Sequence, residues 1–151
     1  MKKPLAICTI AVVVATTQVA QGAEVDKKEV IASSNAPKAS GPYSQAIRYG
    51  NLVFLSGQLP IDPKTGQVSK GTIEEQTKLV LENLKAVLEA AGLTFSNVLA
   101  TTCFLKNMDD FPKFNAVYVT SFPENPPARA TVEVARLHKD ALVEIALTAG
   151  K

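Results

Sequence analysis

The stretch TIEEQTKLVLENLKAVLEAA, residues 72–91, decides how the rest of the chain must be arranged. Thr72 and Glu75 have the spacing of a capping box, in which each side chain satisfies a backbone N–H left free at a helix start. Ile73, Val80, Leu84, Val87, Leu88 and Ala91 recur near helical spacing and form one apolar face. Glu74, Glu82, Lys85 and Glu89 fall on the solvated face, and Gly92 follows as a natural stop. The spacing therefore predicts one long amphipathic helix, which needs another layer to cover its apolar side.

Strands are predicted on both sides of it. Upstream, Glu29–Ala32 reads as a short strand within an entering linker, and Gly41-Pro42 marks a turn. Ala46–Tyr49 and Leu52–Ser56 read as a hairpin turned by Gly50-Asn51, followed by the loop Pro60–Gly66. Downstream, Val98–Leu105 (VLATTCFL) reads as a buried strand with Cys103 as a small core residue. Asp109 or Asp110 is positioned to cap a second helix, with Pro112 in its first turn. Phe111, Phe114, Tyr118 and Phe122 form that helix's apolar stripe, which by itself signals core packing. Asn125-Pro126-Pro127 breaks the chain before two last strands, Ala130–Val134 and Leu142–Leu147, joined by the charged turn Leu137–Asp140. The order strand, strand, helix, strand, helix, strand, strand predicts an α+β sandwich, with two helices on one face of a mixed sheet. The other face then needs a cover, and self-association is the simplest one.

The 151 residues suit one domain with a short appendage, and 46% hydrophobic with 20% charged residues is an ordinary globular composition. The appendage is N-terminal. Met1-Lys2-Lys3 is basic, Leu5–Ala15 is apolar, small and polar residues follow, and the next charge is Glu24. This is the layout of a cleavable export signal over residues 1–23, cut after Ala23 or a neighbour, with a single domain over 24–151 in a periplasmic or secreted protein. A retained anchor over Pro4–Ala23 is the alternative; its TTQVAQG half is polar for lipid. Cys8 suggests a lipobox, but Ile7 is bulky for the position before such a cysteine and Cys8 lies early. Removing Lys2 and Lys3 leaves 14 basic residues against 14 acidic, so the mature chain has no excess charge to attract nucleic acid. Cys103 alone remains, which excludes an internal disulfide, and the single histidine, His138, argues against a histidine-based metal site.

No Gly-rich phosphate loop, HExxH, CxxC or GxSxG occurs. What stands out is a set of polar residues in apolar surroundings: Arg129 after Pro126-Pro127-Ala128, Glu144 between Val143 and Ile145, Tyr43 after Gly41-Pro42, Ser56-Gly57-Gln58 at a strand end, and Asn115 on the apolar side of the second helix. Each has a plain structural reading. Arg129 can be a surface ion pair, Glu144 can face solvent, Tyr43 can pack on the sheet, Ser56-Gly57 can end a strand and Asn115 can bond a loop. Spacing alone supports only a small-ligand site.

GPYSQA (41–46), LSGQLP (55–60), Phe111–Tyr118 and PARATVEVARL (127–137) together resemble the reactive-intermediate deaminase A family, also called RidA or YjgF-type and, under older labels, endoribonuclease L-PSP. The resemblance runs from about Ala32 to Leu147. It implies a chorismate-mutase-like α+β fold, a homotrimer with clefts between subunits, and hydrolysis of 2-imino acids or their enamine tautomers to 2-oxo acids and ammonia, without metal or organic cofactor. Carried across, Arg129 holds the substrate carboxylate, Glu144 orients or activates water, Tyr43, Ser56, Gly57 and Asn115 line the cleft, and the Thr131 backbone makes a further contact. These residue types suit the chemistry. Guanidinium pairs with carboxylate through two parallel bonds, and a positioned carboxylate can take a proton from water and return it to a leaving nitrogen.

The chain departs from the family pattern in places. Ala146 stands where many relatives carry a second acid, His138 where many have Pro, and Thr131 where some have Cys. The export signal is the largest departure, since relatives are typically cytosolic. Three other functions stay open at this level: a non-catalytic small-carboxylate binder or sensor, RNA cleavage or translation inhibition, against which the balanced charge weighs, and a chaperone-like holdase. The partners expected are a small 2-imino or 2-oxo acid and further copies of the chain, with no nucleic acid and, once the signal is removed, no membrane.

Overall fold

The computed structural model describes residues 27–151, so the export-signal reading of residues 1–23 lies outside the described residues. The described chain forms six strands, β1 (Glu29–Ile31), β2 (Ala46–Tyr49), β3 (Leu52–Gln58), β4 (Val98–Leu105), β5 (Ala128–Glu133) and β6 (Val143–Gly150), and two helices, α1 (Ile73–Ala90) and α2 (Phe111–Tyr118). They make one mixed sheet in the order β1-β2-β3-β6-β4-β5. Every neighbouring pair is antiparallel except β4 and β5, which run parallel through the α2 crossover. The α+β sandwich expected from the sequence is the fold observed.

The long helix forms as its sequence dictates. Thr72 accepts from the Glu75 amide while Glu75 accepts from the Thr72 amide at 2.8 Å, completing the capping box. At the other end Gly92 takes φ 72°, and Gly92 and Leu93 donate to the carbonyls of Glu89 and Leu88. Ile73, Val80, Leu84, Val87, Leu88 and Ala91 are all buried. Three polar residues share that face, and each has a partner. Thr77 bonds back to Ile73, and Asn83 donates to the carbonyls of Leu59 and Ile61 at 3.1 and 2.9 Å. Gln76 donates to Ser69 and Gly71 and accepts from the Leu142 amide at 2.9 Å. Gln76 and Asn83 therefore tie the helix to the loop after β3 and to the start of β6.

β6 alternates cleanly. Val143, Ile145, Leu147 and Ala149 are buried beneath the helices, while Glu144, Ala146, Thr148 and Gly150 face the other way. That other face has no cover among the described residues: Leu52, Phe54, Leu99 and Val132 are 39%, 46%, 53% and 43% exposed. Leu99 and Leu52 converge on Gly150, where a side chain would meet the Leu99 methyl at 3.0 Å.

Several boundaries differ from the expected ones. β1 ends at Ile31, β3 runs on to Gln58, and β6 continues through Thr148-Ala149-Gly150, because Gly150 pairs with Leu52 and Ala149 with Val98. Pairing on both sides outweighs the poor strand propensity of that small-residue tail. β5 begins at Ala128, immediately after the prolines that lack an N–H for the ladder, and ends at Glu133, which places Arg129 inside the strand rather than at its entry. The start of α2 is also corrected. Asn107, not Asp109 or Asp110, supplies the cap, accepting from the Asp109 amide at 2.9 Å and opening a 3₁₀ turn over Met108–Asp110. Asp110 is already helical and its side chain caps nothing, while Pro112 sits in the first turn as expected.

Leu84 is fully buried between α1 and the sheet. Leu84→Ala should lower unfolding free energy by about 2–5 kcal/mol in urea titrations, whereas Thr72→Ala should cost about 1 kcal/mol.

Candidate functional site

The residues singled out in the sequence fall into two groups on opposite faces of the sheet. The first lies at the β5 edge, on the helix side. Arg129 is opposite Thr101 and Thr131 opposite Cys103 in the parallel ladder, and both Thr101 and Cys103 point into the core. Arg129 Nη1 donates to Asn115 Oδ1 of α2 at 2.9 Å. The guanidinium carbon lies 4.6 Å from the Tyr118 ring centroid, 5.5 Å from that of Phe111 and 6.0 Å from that of Phe114. No carboxylate pairs with Arg129 among the described residues, which sets aside the surface ion pair as its role. A cleft of about 370 Å³ opens beside the guanidinium, walled by Asn115, Tyr118, Val119, Phe122, Pro126 and Pro127. Thr131 Oγ1 is the one side-chain polar atom buried without a partner among the described residues. It shares Arg129's face two residues further along β5.

The second group surrounds a bulge in β3. Leu55 pairs with Leu147 and Gln58 with Ile145, so Ser56 and Gly57 together oppose the single residue Ala146. Ser56 Oγ donates to the Ser44 carbonyl at 2.7 Å, and the Ser56 amide donates to the Gln45 carbonyl at 3.0 Å. These bonds fix the loop that carries Tyr43. Glu144 lies across Gly57: a Cβ there would stand 3.0 Å from Glu144 Cδ, with the carboxylate oxygen closer still. Only glycine leaves room for that carboxylate. Tyr43 and Gly57 share a small cleft with Gln45 and Gln58. Tyr43 is half exposed, and its hydroxyl accepts from the Ser40 amide at 3.3 Å.

Electrostatics separates the two groups further. Burial pushes the Glu144 carboxyl above its usual range, and the nearby His138 charge opposes that shift. Glu144 forms no hydrogen bond or ion pair among the described residues and is half-buried, so it is not a fully solvated strand residue. Burial raises the Tyr118 phenol, whose hydroxyl is 2.8 Å from Thr101 Oγ1. Burial likewise raises the Cys103 thiol, which suits an inert core residue rather than a nucleophile.

One chain therefore joins Arg129, Asn115 and Thr131 in one place, and Tyr43, Ser56, Gly57 and Glu144 in another. β4 lies between the strands that carry the arginine and the acid, and their side chains leave opposite faces. The ring floor under Arg129 escaped sequence reasoning, because Phe111, Phe114 and Tyr118 read as core packing alone. The signal was Asn115 set within that stripe.

In this two-layer α+β chain the unneutralised guanidinium at a cleft has the chemistry to pair with a small anion, and the partly desolvated carboxyl lies on the opposite face. The comparisons narrow this reading. The family described as Endoribonuclease L-PSP matches residues 33–151. A RutC family protein of Pyrococcus horikoshii is 57% identical over 124 residues, covering 82% of this chain and 98% of that protein. The 2-iminobutanoate/2-iminopropanoate deaminase of Salmonella typhimurium is 48% identical over 120 residues, covering 78% of this chain and 93% of that enzyme. The crystal structure of a Rid-family protein of unknown function from Yersinia pestis superposes with a TM-score of 0.81 at 46% identity, covering 83% of this chain and all (100%) of that one. The chain belongs to this Rid family, which includes deaminases of imino acids.

The raised Glu144 carboxyl has a consequence for stability. Between the ordinary carboxyl value and the raised one, the folded chain holds a proton that the unfolded chain has released. Stability therefore falls as pH rises through that window and levels off above it. Glu144→Gln should melt higher than the parent at pH 7, with the difference vanishing below pH 4; thermal scans across pH 3–8 read this directly.

Proposed function

We propose that this chain hydrolyses 2-imino acids, such as 2-iminobutanoate and 2-iminopropanoate, to 2-oxo acids and ammonia, in clefts formed between copies of itself. The observation that carries the reading is Arg129. It is held by an amide oxygen and aromatic faces, with Nε and Nη2 unclaimed among the described residues, beside a cleft of about 370 Å³. A planar cation kept free of acids suits a carboxylate that must come and go. The likeness to the Salmonella deaminase supplies the chemical class.

The proposed reaction needs little beyond placement. Arg129 pairs with the substrate carboxylate and Thr131 offers a further contact, which fixes the C=N carbon. The oxygen of a water bonds to that carbon as the C=N π pair moves to nitrogen. Glu144, as the carboxylate, takes a proton from the water and passes it to the nitrogen, and its burial raises its affinity for that proton. Glu144 then takes the hydroxyl proton of the adduct and gives it to the nitrogen as the C–N bond breaks and the C=O bond forms, so that ammonia leaves and the carboxylate is restored. Holding the partners in line supplies much of the acceleration.

Glu144 and Arg129 leave opposite faces of the sheet, so in this reading the acid, with Tyr43, Ser56 and Gly57, comes from a neighbouring copy. A closed ring of three would also cover the apolar face of Leu52, Phe54, Leu99 and Val132. The separation of fork and acid equally favours a second reading, in which the β5-edge site binds small carboxylates without turning them over. Export through residues 1–23 is part of the proposal and would put the reaction outside the cytoplasm. The processed protein should then begin at Glu24 or a neighbour, as read by mass spectrometry of the exported fraction.

The two readings part on the decay of 2-iminobutanoate generated in situ. Saturable acceleration by the parent, reduced at least 100-fold in both Arg129→Ala and Glu144→Gln with the fold intact by circular dichroism, is the expected result for the enzyme. Carboxylate binding without acceleration by the parent would establish the binder instead. For the enzyme, kcat should fall on the acid side as Glu144 gains a proton and can no longer take one from water, and a flat profile between pH 5 and 8 would remove the titrating carboxyl from the mechanism.

A further inference from the structure

An arginine on an exposed edge strand is a poor anchor unless something holds it still. Its long side chain has much rotamer freedom to lose on capture. An aspartate or glutamate would hold it, but would also compete with an anionic ligand for the same donors. Among the described residues Arg129 is held without any acid. One Nη1 bond goes to a neutral amide oxygen, and the guanidinium lies over three aromatic rings, nearest to Tyr118 at 4.6 Å. A ring face attracts the cation through its quadrupole and takes up none of the in-plane N–H donors.

Tyr118 is the best fixed of the three. It is 4% exposed, its ring centroid is 5.5 Å from Phe114 and 4.7 Å from Phe122, and its hydroxyl meets Thr101 Oγ1 at 2.8 Å. Thr101 is itself opposite Arg129 in the ladder. The ring and the arginine are thus referenced to the same pair of strands, β4 and β5. Burial holds the phenol in its neutral form, so no phenolate arises to neutralise the guanidinium.

We infer that Tyr118 is a positioning residue for carboxylate capture: its ring face holds the Arg129 guanidinium in the orientation that presents Nε and Nη2 to the ligand, while leaving its charge unopposed. This rests on the reading of Arg129 as the carboxylate anchor. The hydroxyl serves the ring's placement, and the ring serves the arginine. Tyr118 itself touches no reacting atom, so it should act on binding and not on the chemical step.

The test measures KM and kcat for 2-iminobutanoate and, separately, the calorimetric Kd of the unreactive carboxylate 2-oxobutanoate, on the full chain. Tyr118→Leu should raise KM and Kd together by about 10-fold with kcat within two-fold of the parent, the pattern of lost uniform binding. Tyr118→Phe, which keeps the ring and loses only the hydroxyl, should stay within two-fold in both constants, even where its melting temperature drops. An unchanged Kd in Tyr118→Leu overturns the inference. So does a Tyr118→Phe variant as impaired as Tyr118→Leu, or a loss confined to kcat. Should Tyr118→Leu fail to fold, Phe111→Leu at the neighbouring ring decides: a Kd rise of about three-fold supports the aromatic floor and no rise overturns it. A parent that binds 2-oxobutanoate but never turns over the imine would defeat the deaminase reading alone, and the Kd comparison would still judge Tyr118.

Discussion

The structure depends on β6 being inserted antiparallel between β3 and β4. Those two strands run parallel to each other and are joined through α1, so without the C-terminal strand they would have no common ladder. β6 fills the gap, and its alternate residues Val143, Ile145, Leu147 and Ala149 all enter the core. The helix is referenced to it through Gln76, which accepts from the Leu142 amide just before the strand begins. Its outward residues are equally constrained. Glu144 stands where the β3 bulge brings Gly57 beneath it, and Gly150 stands where Leu52 and Leu99 close in. Position along this one strand therefore sets both the buried core and the location of the acid.

The same ladder carries information to the other edge. β4 pairs with β6 on one side and β5 on the other, so Thr101, Leu147 and Arg129 share one row across the sheet. Thr101 then fixes Tyr118, and Tyr118 lies under the guanidinium. A positive charge is thereby held in place by an amide, rings and backbone register, with no acid in contact. Its Coulomb attraction stays available for an incoming anion. The carboxyl on the opposite face is handled in the reverse way: partly desolvated, without a hydrogen-bond donor, and biased toward its protonated form. A cation kept apart from acids and a carboxyl kept from full solvation thus occur on the two faces of one small sheet.

An arrangement of this kind makes assembly part of the reading of function. The face that exposes Leu52, Phe54, Leu99 and Val132 is the face that bears Glu144. Covering it would withdraw apolar area from water and, in the same step, bring a neighbour's edge toward the acid. The hydrophobic gain and the completion of a composite site would then not be separable events.

The sequence by itself determined the element order, the long capped helix, its apolar face, the core role of Cys103 and the residues worth watching, because these follow from periodicity, capping chemistry and short-range spacing. Arg129, Asn115, Tyr43, Ser56, Gly57, Thr131 and Glu144 were all visible there as polar or glycine positions in apolar company, and the family resemblance followed from contiguous motifs. Tertiary structure alone decided what those residues do to one another. The bulge that seats Glu144 over Gly57 depends on the register of β3 against a strand 87 to 92 residues further on. The extension of β6 through Gly150 and the start of β5 at Ala128 depend on which strands lie alongside. The aromatic floor under Arg129 exists because a stripe that merely looks like core comes to lie, through the α2 crossover, against an edge strand. Local sequence encodes propensity and pattern, whereas register, faces and neighbours arise only when distant segments pair.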